Sequence, residues 1–146
     1  MIRLSSAIAH PNVSALLISP YQADFDCLYP IFQERNWKLQ VAQTCRQACS
    51  ALDRHQFAVI VCECKLPDGT WRTVHAYVEG TPAQLIVCSR LADERLWTEV
   101  LDSGGYDVVS TPFRPEETLR MITAAWLQWQ IDRRSNQWHE QATASN

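Results

Sequence analysis

Apolar positions recur in two rhythms along this chain. Short apolar runs at residues 13–19, 57–62, 85–88 and 107–109 are each closed by a polar residue, Pro or Gly. Those at 57–62 and 85–88 suit strands buried on both faces of a parallel sheet, and the other two read as further strands. Residues 37–42 instead alternate Trp, Leu and Val with Lys and Gln, the pattern of a strand near a sheet edge. Between these runs the apolar residues fall at helical spacing. Phe25, Leu28, Ile31 and Phe32 form one stripe, with Pro30 inside it to kink the helix or displace its start. Cys45, Ala48, Cys49 and Leu52 form a second, capped by Thr44. Residues 70–78 make a short helix, and Thr81-Pro82 breaks the chain. Asp93 caps a stripe of Leu96, Trp97, Val100 and Leu101 that ends at Gly104-Gly105. Pro115 and Glu116 open a last helix, with Leu119, Ile122, Ala125, Trp126 and Trp129 on one face.

Five alternations of strand and helix predict parallel strands joined by right-handed crossovers, stacked as a three-layer α/β sandwich. The expected division is a leader over residues 1–12, one domain over 13–133 and a polar, fraying tail over 134–146. The run at 57–62 ends in Glu63, ahead of the turn Leu66-Pro67-Asp68-Gly69. In a parallel sheet the carboxyl ends of the strands border the crevice where function is placed. Glu63 is therefore the first candidate for chemistry.

Composition narrows the classes. A chain of 146 residues with 47% hydrophobic and 20% charged residues has globular proportions. A net charge of −3 offers no general attraction to nucleic acid or an anionic membrane. No segment has the length of a membrane span, and residues 1–11 are too short and polar for a secretory signal, so a cytoplasmic protein is expected. Six cysteines in that setting read as reduced thiols. Cys62 and Cys64 flank Glu63 on one strand face, and Cys45 and Cys49 lie one helical turn apart. Neither spacing is that of a zinc pair, so packing is the expected role and a thiol-based sensor the rival. His10, His55, His75 and His139 are scattered, with no nucleophile at a useful spacing.

Three stretches carry a family resemblance. They are Glu63-Cys64-Lys65-Leu66-Pro67-Asp68-Gly69, Ile86-Val87-Cys88-Ser89, and residues 104–117, which run from Gly104-Gly105-Tyr106-Asp107 through Thr111-Pro112-Phe113 to Glu116-Glu117. With them the chain resembles the receiver domain of two-component response regulators over about residues 13–130. The resemblance implies a flavodoxin-like fold with a five-stranded parallel sheet in the order 2-1-3-4-5. It also implies an aspartate that accepts a phosphoryl group from a histidine kinase, an acidic pair that holds Mg2+, a Ser or Thr, an aromatic switch residue and a lysine.

Position by position, this chain departs from that pattern. The phosphoacceptor position holds Glu63, and the acidic pair falls on Ser19 and Pro20. The Ser/Thr position is kept as Ser89, the aromatic falls on Val108, and the lysine falls on Thr111. Mg2+ wants hard oxygen ligands, and the charge of a transferring phosphoryl group needs neutralising. The expectation is a stand-alone degenerate receiver in phosphorelay signalling that is no enzyme and takes no cofactor, Mg2+ included. It would act through contacts with a histidine kinase or a downstream regulator, and no DNA-binding output domain is expected after Asn146. A working phosphoacceptor is the alternative. In a related reading Glu63 mimics the phosphorylated state, with Ser89 and Thr111 donating to its carboxylate. Trp126, Trp129 and Trp138, on or after the last helix, suggest a homodimer face.

Overall fold

The computed structural model describes residues 11–144, with side chains as far as Asn136. The leader's Ile2, Leu4, Ile8 and His10, and the side chains of Trp138 and His139, lie outside that range. The element order is β1 (Ser14–Ile18), α1 (Gln22–Glu34), β2 (Lys38–Ala42), α2 (Cys45–Arg54) and β3 (Val59–Glu63). A hairpin of two short strands, β4 (Lys65–Leu66) and β5 (Gly69–Thr70), follows, then α3 (Trp71–Val78). The chain continues with β6 (Gln84–Ser89), α4 (Glu94–Asp102), β7 (Asp107–Ser110) and α5 (Pro115–Ala144). The main sheet is all parallel in the order β2-β1-β3-β6-β7. With the hairpin set aside, this is the expected 2-1-3-4-5.

Side chains alternate across each central strand and feed two separate cores. Ala15 and Leu17, Val59 and Val61, and Ile86 and Cys88 face α1 and α5, where Leu28, Phe32, Ile122 and Trp126 close the layer. Leu16 and Ile18, Ile60 and Cys62, and Leu85 and Val87 face α2, α3 and α4, against Ala48, Trp71, Val74 and Val100. A strand with apolar residues at both parities can only be satisfied by cover on both faces, which is why these runs read as continuous.

Local signals end the helices where the sequence placed them. Thr44 Oγ1 accepts from Gln47 N, and Asp93 Oδ1 accepts from Leu96 N. Gly104 takes φ +97°, the left-handed conformation that glycine supplies after a helix. Asp68, on the hairpin turn, accepts from the backbone N–H of Cys45 at 2.7 Å and Arg46 at 3.1 Å. The loop after β3 is thereby tied to the amino end of α2.

Three expectations need correction. Pro30 lies within α1 and does not displace its start, since the helix begins at Gln22. Trp97 is 48% exposed, because α4 buries the stripe through Leu96 and Val100 and its next residue turns away. The last helix does not fray from Ser135 but continues to Ala144, a length of 30 residues or about 45 Å. No Gly or Pro follows Pro115 in this helix, so nothing in the sequence stops it.

Candidate functional site

Glu63 is the last residue of β3 and continues the parity of Val59 and Val61. Its side chain therefore leaves the sheet on the face that α1 covers, and it is only 8% exposed. Cys88 is its partner in register on β6. The Cys88 thiol donates to Glu63 Oε2 at 3.7 Å. From the other side comes Asp24, in the first turn of α1 and equally buried. Oxygens of Asp24 and Glu63 and the sulfur of Cys88 all lie within 4.8 Å of one another.

Ser19 completes the group. It follows β1, is buried, and donates from Oγ to Asp24 Oδ2 at 2.7 Å. The same oxygen accepts from Tyr21 N at 3.1 Å, so it is used twice. Arg90 lies over the Tyr21 ring, 5.3 Å from its centroid.

A second carboxylate this close perturbs Glu63. Burial pushes the Glu63 carboxyl above the usual carboxylate range, and the charge of Asp24 adds to the rise. The Cys64 backbone N–H, then the Cys88 thiol and the Arg90 charge, pull the other way without cancelling it. Burial, then the Glu63 charge, push the Cys88 thiol well up, so it stays protonated and acts as a donor. A carboxyl raised on folding stabilises the fold fully below its unfolded value, near 4.3. That contribution is lost as pH rises through the higher folded value. Glu63→Gln removes the charge while keeping the shape. Its melting temperature at pH 7 should match or exceed the parent's, and the difference should close as pH falls towards about 4. Thermal denaturation across pH 4 to 8 checks this.

Of the positions that the resemblance singled out, only Ser19 and Glu63 reach this group. Pro20 brings no donor. Ser89 Oγ accepts from Leu91 N at 3.1 Å, and Thr111 meets Ser89 through its backbone, N to O at 3.1 Å. Among the described residues neither side chain donates to Glu63, so the donors expected for a phosphoryl mimic are replaced by one thiol. Val108 sits half-buried on β7. Sequence reasoning missed Asp24, which now stands as the second carboxylate beside Glu63. Its one signal was an acidic residue six positions after the end of β1, at the start of a helix.

The resemblance to receiver domains implies Mg2+ at this end of the sheet, and the donors here do not suit it. Two carboxylates would supply charge, but the third group is a protonated thiol, a donor that hard cations avoid. The Ser19 hydroxyl is already committed to Asp24. All three candidate ligands are buried, leaving little room for the waters Mg2+ usually keeps.

No protein-family model matches the sequence, and no curated protein matches it. Solved structures do match. The beryllofluoride-activated NtrC4 receiver domain dimer aligns with a TM-score of 0.74 at 21% identity, covering 80% of this chain and 98% of that one. A CheY-like response regulator receiver domain protein from Methanospirillum hungatei JF-1 gives a TM-score of 0.74 at 15% identity, covering 84% and 99%. The chemotaxis response regulator CheY4 of Vibrio cholerae gives 0.69 at 16% identity, covering 79% and 99%. The chain therefore has the receiver fold, an α/β flavodoxin-like sandwich. Among the described residues no helix is long and apolar enough to cross a membrane.

Proposed function

We propose that this chain is a receiver-type domain of two-component signalling that works through protein contacts and takes no phosphoryl group on its sheet crest. One observation carries the reading. The group that receivers use for an aspartate, a metal and a lysine is here Glu63 closed in by Asp24 and a protonated Cys88, with Thr111 in the lysine's place. Charge developing on a transferring phosphoryl group would meet two carboxylates and no ammonium. Stabilising that charge is most of the catalysis in this chemistry. The partners of such a domain are a histidine kinase or a downstream regulator. Leu127 and Ile131, exposed on α5, suit a homodimer through the last helix.

The alternative of a working phosphoacceptor is decided by one measurement. Incubated with acetyl phosphate and Mg2+, the chain should keep its mass, while an aspartate-bearing receiver treated alongside gains one phosphoryl group. Stoichiometric phosphorylation of this chain would overturn the reading. A thiol sensor is disfavoured, because burial raises the thiols of Cys45, Cys49, Cys62, Cys64 and Cys88. Reactive cysteines need the opposite shift.

A further inference from the structure

A cleft of about 540 Å³ opens at the end of the sheet opposite Glu63. Its floor is Phe57, two residues before β3 begins, so it lies about 20 Å along the strand direction from the crest. Val78 of α3 closes the floor, and Tyr77 stands at one side. The far wall is α5. Asp132 pins that helix level with the start of β6, accepting from Gln84 Nε2 and from Gln128 Nε2, each at 2.9 Å. Beyond Asp132 the helix overhangs the sheet by about 18 Å, twelve residues at 1.5 Å each. The overhang adds Arg133 and Asn136 to the wall that Trp129 begins.

The lining has a definite chemical bias. It contains the rings of Phe57, Tyr77, Trp129 and His55, together with the cation of Arg133. Among the described residues no carboxylate lines it. The two acids nearby are otherwise engaged: Asp53 accepts from the Tyr77 hydroxyl, and Asp132 holds its two glutamines. Arg133 lies over the Trp129 ring, 5.1 Å from the centroid, and among the described residues it makes no ion pair. Stacking of this kind orients a guanidinium and leaves its N–H fork directed outward, the geometry that recognises carboxylate and phosphate. The volume lies in the range of small-ligand sites, which are mostly apolar with a few placed polar groups.

We propose that this cleft binds a small organic anion with a flat ring system, the ring held among Phe57, Tyr77 and Trp129 and the anionic group on Arg133. The occupant is a free small molecule carrying a carboxylate or a phosphate. The site is independent of Glu63 and survives if the reading of the crest fails. The test is an amide and indole NMR titration of the full chain with 2-naphthoate, 2-naphthyl phosphate and the neutral 2-naphthalenemethanol. At least one anion should give saturable shifts centred on Trp129 and Phe57 and bind about tenfold more tightly than the alcohol. Which anion binds better identifies the class. Arg133→Gln, at an exposed position, should bring that anion down to the alcohol's affinity while the resonances of Ile60 and Val87 stay unmoved. Shifts that fail to saturate, equal binding of the neutral probe, or anion binding that persists in Arg133→Gln would each overturn the proposal.

Discussion

Phe32→Ala should lower stability by about 3–5 kcal/mol. Phe32 is 1% exposed and fills the layer between α1 and the sheet. Its ring meets Trp37 edge-on, with centroids 5.5 Å apart and planes at 81°. Its carbonyl also accepts from Trp37 N at 2.9 Å, where α1 turns towards β2, but truncation leaves that bond in place. The loss is therefore one of packing: transfer of the ring plus the cavity left behind. At this chain length the melting point should fall by roughly 10 °C or more. Urea denaturation with an unchanged slope would confirm a native-state effect. Phe32→Leu, which keeps most of the volume, should cost far less, about 1.5 kcal/mol. Equal losses for the two variants would mean that the ring's shape, rather than its bulk, supports this layer.

Gly105→Ala should cost about 1–3 kcal/mol or more, although Gly105 needs no unusual backbone angle. A Cβ added there would lie 2.4 Å from Val100 Cγ1 and 3.0 Å from the Val100 carbonyl oxygen. Gly105 N already donates to that oxygen at 2.9 Å, which draws the chain tightly under the end of α4 on its way into β7. Val100 is fully buried, so neither side can yield easily. Val100→Ala removes the closer clash but leaves the carbonyl one. The double variant should therefore be more stable than the sum of the two single losses predicts, by about 0.5–3 kcal/mol in a mutant cycle. Strict additivity would locate the cost of the alanine somewhere other than Val100.

The glycine pair after α4 shows how far sequence reading reaches. That a helix ends there is legible, since glycine follows helices for a known reason, and Gly104 does take the positive φ. That Gly105 is required by crowding against Val100 is not legible, because the crowding exists only once α4 and β7 are placed. The strands behave in the same way. Continuous apolar runs announce two-sided burial, and the two cores supply it. The caps at Thr44 and Asp93 are local and were readable. The two-residue strands flanking Pro67-Asp68 were not, though the turn between them was. Trp97 misled, because a stripe four residues wide looks alike from sequence whether or not its edge faces solvent.

The same division applies to the candidate site and to the cleft at the other end of the sheet. Local order dictated that a strand would end at Glu63, that helices would separate the strands, and hence that the sheet would be parallel. Periodicity and turn chemistry act between neighbours in the chain, so one sequence suffices to read them. Only tertiary packing decided that Asp24 and Cys88, far apart in sequence, would close on Glu63, and that α5 would carry Trp129 and Arg133 past the sheet to face Phe57. Those contacts depend on which faces of separate elements meet. Short-range spacing holds no record of that distance.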